Sequence, residues 1–372
     1  MILSQEISSR EYKYLNRSPK ALLMGDAYTA IADDGFTLFY NPAALGRHDG
    51  LSLHIINPKV TAINALSEMD RFKNFPSSDP VAISDRLLGL PIHLGLSGQP
   101  SVKLHHIGML YLADFTTNIE LKNAVHPIFD IDVNYDRGFM VGYAFSFGNG
   151  GKSANWSGKK KSSKGNAGKR ISVGLGLKSI HREGILQSYD LFGLTMLNKV
   201  KSSGSDFKTL KTSLGYSKGK AIGVDIGAEI LYAWSSSQLV IASSVIDLGD
   251  TKFPLTNGVM KLPSLPMSWN SGIAWTQDFT IIDYTLSFDI APINQPLPTM
   301  RKVHFGAKVG IPFIDVLFGW NSGYISYGVG IDLFLVNLYA GFYNVEIGSR
   351  FLQHKSQRFL FSINLIDFTF EP

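Results

Sequence analysis

Cysteine is absent from the 372 residues. This excludes a disulfide framework, a thiolate metal site and a lipid-bearing N-terminal cysteine. No apolar run reaches the roughly 18 residues of a membrane-spanning helix. Charge is scarce at 17% of residues, against about 25% in soluble domains. It is also unevenly placed, since segment 149–170 holds seven basic residues and no acidic one, more than the whole net charge of +5. That pattern reads as one basic loop on a near-neutral body and speaks against a nucleic-acid-binding domain. The loop is either a solvated linker or a contact for an anionic surface or partner.

Catalytic and metal-binding patterns are missing too. There is no G-x-S-x-G or H-E-x-x-H. Gly151-Lys152-Ser153 ends like a phosphate-binding loop, but Ser146 stands where that motif needs its first glycine. His105-His106 is the one adjacent histidine pair. As neighbours on a strand the two would face opposite ways, so no two-ligand site is expected. No catalytic residue, metal or cofactor is expected.

What is present is alternation. Aromatic residues make up 12% and glycines number 36, which suits strands, turns and aromatic girdles. Ile222, Val224, Ile226, Ala228 and Ile230 oppose Gly223, Asp225, Gly227 and Glu229. The pattern predicts fourteen strands near 50–58, 104–113, 127–136, 138–148, 171–181, 221–234, 238–248, 265–276, 279–290, 302–310, 313–320, 324–334, 336–345 and 356–367. Asp136-Arg137-Gly138 reads as a tight turn between two of them. Segment 59–101 breaks the pattern, with helical spacing at Ala62, Leu66 and Met69 and again at Ile83, Leu87 and Leu90. Segment 182–220 is mixed, with a helix near 189–199 or an extra hairpin. Most strands are about ten residues long with one apolar face, as an all-β transmembrane antiparallel barrel requires. Closure removes the two edges of so large a sheet. A soluble β-sandwich also alternates, so alternation alone does not decide between them.

Ahead of the strands lies SPKALLMGDAYTAIADDGFTLFYNPAALG, residues 18–46. Gly25 allows close backbone approach. Residues 27–32 can form a helical turn or two, which Asp33-Asp34-Gly35 stops. Asn41-Pro42-Ala43 ends the aromatic run after Phe36. Met24-Gly25, Ala27-Tyr28-Thr29-Ala30, Asp33-Asp34 and Asn41-Pro42-Ala43, in that order before barrel-like strands, resemble the N-terminal hatch of FadL-type outer-membrane transporters and the related PorV-type barrels.

The resemblance implies a bacterial outer-membrane barrel, for which fourteen strands are known, with a hatch in its lumen. Residues 1–48 would be a mobile tail and hatch, and 49–372 the barrel. Met1 to Glu6 lacks the basic and apolar regions of a signal peptide, so an exported form is expected to be mature. Met24, Gly25, Asp33, Asp34, Asn41, Pro42 and Ala43 match the family pattern and are the expected gating residues. The implied function is passage of a small hydrophobic or amphipathic, fatty-acid-like molecule, in contact with outer-membrane lipid. The alternative is a PorV-type accessory barrel that docks a secretion or surface protein. Lys178, Asp225, Glu229, Asp283, Asp289, Lys302, Lys308 and Arg358 are expected to face the lumen. They either line a head-group path or form a charge network that fills the barrel.

Overall fold

The computed structural model describes residues 11–64, 68–75, 80–123, 125–148, 167–190, 207–279, 281–333 and 335–370. Strand β1 runs as Leu51–Ile56 and Lys59–Ile63, and β2 as Ile92–Gly98 and Ser101–Leu104. Then come β3 (Ile107–Lys122), β4 (Ile128–Phe147), β5 (Gly168–Asp190), β6 (Ser217–Ala233) and β7 (Ser237–Ile246). They are followed by β8 (Ser268–Asp278), β9 (Asp283–Ile290), β10 (Val303–Ile311) and β11 (Ile314–Asn321). The last are β12 (Tyr324–Leu333), β13 (Val336–Glu346) and β14 (Lys355–Phe370). Each pairs antiparallel with its neighbours, and β14 returns to β1 with Phe370 opposite Leu51, closing the sheet. Short Leu255–Asn257 adds to β6 at one end.

The outer face is apolar. Phe139, Val141, Tyr143, Phe145 and Phe147 on β4 are all exposed, while Met140 and Ala144 between them are buried. Such a belt, with Trp234 against Trp275 (ring centroids 5.6 Å apart) near one rim, is that of a barrel in lipid. The closed fourteen-strand sheet is therefore an outer-membrane barrel.

The count of fourteen agrees with the sequence reading, but two of the expected strands differ. Asp136-Arg137-Gly138 is no turn, and β4 runs straight through it. Asp136 holds Arg182 of β5 in a two-pronged pair at 2.7 and 2.6 Å, and a methyl group at Gly138 would overlap Ser179 O. In compensation, β2 was expected to be part of an irregular first loop. Pro58 and Pro100, which cannot donate to a ladder, interrupt the apolar pattern there. Asn57 repairs the gap: its Nδ2 donates to Gln99 O and its Oδ1 accepts from Gln99 N, both at 2.6 Å. Residues 59–63 are strand rather than helix, and the loop helices are α3 (Met69–Phe72) and α4 (Pro80–Leu87). The mixed segment opens with the continuation of β5 to Asp190 and holds a helix at Phe207–Ser213; the helix or hairpin expected between lies at residues outside those described. His105-His106 forms the two-residue turn from β2 to β3, with φ of 43° and 60°. This replaces the expected strand placement and suits a tight hairpin.

The turns 105–106, 234–236 and 312–313 and the junction of Leu333 with Val336 share one end of the barrel. Phe147 and Gly168 lie at that end as well, so the basic stretch 149–170 starts and finishes among short turns; residues 149–166 are outside those described. Strand length differs around the barrel: β4 and β5 have 20 and 23 residues, β9 and β11 only 8 each. The β3–β6 wall therefore rises past the apolar belt at the long-loop end. Arg137 and Glu183, paired at 3.1 Å on its outer face, mark where the belt stops.

Candidate functional site

Residues 18–48 fill the lumen. Helix α1 (Pro19–Leu23) and helix α2 (Thr37–Tyr40) are short, and Pro42–Arg47 forms a 3-10 helix. The helical turns expected at 27–32 are tight turns instead, and helix forms in the aromatic run at 37–40. Nearly every residue of the segment is buried.

Shape holds this segment. Wall glycines stand where its backbone comes closest. A methyl group at Gly319 would overlap Gly25 N and Met24 C; at Gly174, Pro42 and Ala43; at Gly227, the Asn41 side chain. Gly328 and Gly341 meet Leu23 in the same way. Gly25 itself has φ +66° and no room for a side chain beside Trp320. Wall side chains then satisfy backbone groups that no secondary structure pairs. Asp289 Oδ2 accepts from Tyr28 N at 2.8 Å and Thr29 N at 2.7 Å, Ser287 donates to Ala27 O and Ser244 to Tyr40 O.

The residues that carry the sequence resemblance have separate places. Asn41 Oδ1 accepts from Ala43 N at 3.0 Å, capping the 3-10 helix that Pro42 opens. Asp34 accepts from Ser18 Oγ at 2.5 Å, Tyr28 Oη at 3.0 Å and Phe36 N at 2.8 Å. Asp33 pairs with Lys20 at 3.5 Å, and its carbonyl accepts from Lys103. These contacts tie the segment to itself and to β2.

The expected lumen charges are mostly buried and paired. Lys178 meets Asp225 at 2.7 Å and Asp247 at 2.9 Å, Glu229 meets Arg47 at 2.9 Å, and Lys308 meets Asp283 at 3.0 Å. Asp289 faces the segment, and Arg358 faces Glu11 ahead of it. Lys302 departs from the expectation: it donates to Ile293 O in the β9–β10 connection, 2.9 Å away, because it precedes the strand. The arrangement is a charge network that also binds the lumen segment.

Residues 11–17 were expected to belong to a mobile tail. They instead form a strap across the long-loop mouth. Tyr12 Oη donates to Pro266 O at 2.9 Å, Lys13 pairs with Asp132 of β4, and Arg17 reaches Asp26 at 3.0 Å. Glu11 lies between Arg17 and Arg358. Burial pushes its carboxyl up, but Arg358 and Arg17 outweigh burial and hold it well below the usual carboxylate range. Between strap and wall lies a cavity of about 100 Å³, lined by Lys59, His93, Asp114, Asn134, Arg182 and Arg358 among others. The sequence marks the strap only as a polar, charged stretch, and its wall partners Pro266, Asp132 and Arg358 lie more than a hundred residues away.

At the other end His48 is buried, and its Nε2 has no hydrogen-bond partner among the described residues. Burial, and then Lys103, push it down from 6.5 to about 4.

No protein-family model and no curated protein matches the chain. Among solved structures it is similar to the toluene transporter TbuX of Ralstonia pickettii, with a TM-score of 0.48 and 10% identity over 95% of this chain and 99% of that one. It is also similar to the monoaromatic hydrocarbon channel CymD, at 0.43 and 11% over 95% and 97%. The toluene transporter TodX of Pseudomonas putida gives 0.41 and 10% over 94% and 98%. By its own architecture the chain is a fourteen-strand outer-membrane barrel with residues 18–48 inside its lumen.

Proposed function

We propose that the protein passes small hydrophobic or amphipathic molecules, fatty-acid-like ones among them, across the bacterial outer membrane. One observation carries this reading: the lumen is filled by residues 18–48 of the same chain, fitted against wall glycines. An open diffusion pore would not need such a fit. Passage then requires residues of the segment to move, and the Met24-Gly25, Asp33-Asp34 and Asn41-Pro42-Ala43 contacts are those that must yield. By the usual rule the short-turn end faces the periplasm, so ligand enters beside the strap. The apolar belt is solvated by outer-membrane lipid.

The test is mass spectrometry of organic extracts from detergent-purified protein, together with cellular uptake, for the native chain and Asn41→Ala. Bound hydrophobic compound, reduced in the variant along with uptake, supports passage. Clean extracts with a protein retained on purification would instead favour the accessory-barrel role. The feature that fits that second role is the raised β3–β6 wall, which carries protein surface beyond the belt.

A further inference from the structure

Glu11 is a carboxylate held between two buried guanidinium groups. Arg358 Nη2 donates to Oε2 at 2.7 Å and Arg17 Nη2 to Oε1 at 2.6 Å. Their side chains are 3% and 11% exposed. Arg17 has a second carboxylate in Asp26, 3.0 Å away. Among the described residues Arg358 has Glu11 alone as an acidic partner, plus Ser356 Oγ at 3.2 Å. Lifting the strap would strand a buried guanidinium without a counter-charge, which is strongly unfavourable. The strap therefore leaves readily only when another anion takes its carboxylate's place.

Space for such an anion adjoins the pair. The cavity of about 100 Å³ touches Glu11, Arg17 and Arg358, with Lys59 adding positive charge and Leu15 and Leu22 adding apolar surface. A second hollow of about 70 Å³ shares Glu11 and Arg358 with it; Pro91, Ile92, Ile119 and Ile347 give it apolar surface beside the Lys13–Asp132 and Lys122–Asp130 ion pairs. A charged head and an apolar tail would each find a lining that suits them.

We propose that Arg17 and Arg358 form the head-group site for an amphipathic carboxylate, and that Glu11 is its resident stand-in, displaced when ligand binds. The inference rests on the passage reading and adds the head-group class and an autoinhibitory residue to it. No bond is made or broken; one carboxylate exchanges for another. Because Glu11 stays ionised through neutral and mildly acidic pH, the exchange conserves charge in the site.

The experiment uses the full chain in non-ionic detergent and three probes of equal tail: dodecanoate, dodecanol and dodecylammonium. Glu11→Gln keeps the side chain's shape and removes its charge. It is expected to tighten dodecanoate about tenfold and leave dodecanol unchanged, since the two arginines are left to the ligand. Arg358→Gln is expected to abolish the preference for dodecanoate over dodecanol. Because the chain has no cysteine, thiol labelling of Tyr12→Cys reports strap release, which dodecanoate should speed and dodecanol should not. Heat-modified gel mobility checks that each variant is a folded barrel. Equal effects of Glu11→Gln on all three probes, or a preference for dodecanoate that survives Arg358→Gln, would overturn the head-group site while leaving passage standing. Failure of every probe to bind every folded variant would overturn both.

Discussion

Residues 11–17 and residues 18–48 share one lumen but are held by different forces. The longer segment is fitted: glycines at 174 and 319 make room for its backbone, those at 227, 328 and 341 for its Asn41 and Leu23 side chains, and wall side chains cap its peptide groups. The strap is charged: Glu11, Lys13 and Arg17 bind Arg358, Asp132 and Asp26. Close packing acts over tenths of an ångström and is almost indifferent to solvent composition. Ion pairs reach further, weaken with salt and can be exchanged for equivalent ions. A fitted body beneath an exchangeable cover can respond to a charged ligand without loosening the whole seal.

The largest effect should come from spoiling the fit. Gly319→Ala places a methyl group against Met24 and Gly25 backbone, which has no flexible end to swing aside. Overpacking of that kind costs about 3 kcal/mol, and the lumen segment should be displaced. The expected outcomes are a lower unfolding midpoint and higher single-channel conductance in planar bilayers. Gly98→Ala, whose added methyl group meets nothing within 4 Å, is the matched control. Equal conductance in the two variants would show that the glycine contacts do not seal the lumen.

Acid should separate the regions next. His48 is held down at about 4 from 6.5. Below pH 6.5 the unfolded chain takes up a proton that the folded chain refuses, so stability falls as pH drops from 6.5 towards 4. The loss is on the order of 2 kcal/mol. His48→Gln should flatten that slope in denaturant titrations at pH 7 and pH 4.5. Glu11 goes the other way: its folded value is depressed, so its contribution is present above the ordinary carboxylate range and is lost only in stronger acid. Over the same window the short-turn end should loosen while the strap stays latched.

A smaller change is expected at the Asn41-Pro42-Ala43 triplet. Asn41→Ala removes the cap on Ala43 N and leaves Pro42 seated against Gly174. A lost cap costs about 1 kcal/mol. The unfolding midpoint should therefore shift by less than in Gly319→Ala, with a graded rise in conductance.

Much of this fold could be read from alternation because lipid outside and a filled lumen inside impose opposite chemistry on successive residues. The right strand number came with two local errors, however. Asp136-Arg137-Gly138 has turn composition, but its Asp is there for Arg182 and its Gly for a tight wall. Pro58 and Pro100 hid β2, and nothing local announces that Asn57 bridges the gap. The candidate site was legible in its residue types and not in its pairings. Asp289 caps Tyr28 and Thr29 across some 260 positions of sequence. Glu11 meets Arg358 from 347 positions away. A tyrosine- and lysine-bearing stretch ahead of the first strand looks like a tail until the wall that charges it is in place.

The smallest expected effect tests the charged side of the comparison. Lys13 pairs with Asp132, but their side chains are 30% and 16% exposed, so water and salt screen the pair. Such a contact is worth about 0.5 kcal/mol. Lys13→Gln should leave the unfolding midpoint and the conductance within error of the native chain. Thiol labelling of Tyr12→Cys in the same background should nevertheless rise two- to threefold, roughly what that energy allows. Raising salt to about 1 M, where the screening length is near 3 Å, should reproduce the rise in the native chain and add little in Lys13→Gln. A cysteine placed at Ala27, inside the fitted segment, should respond to neither. If Ala27→Cys labels faster in salt as well, the strap and the segment beneath it move as one body, and the distinction between a charged cover and a fitted seal fails.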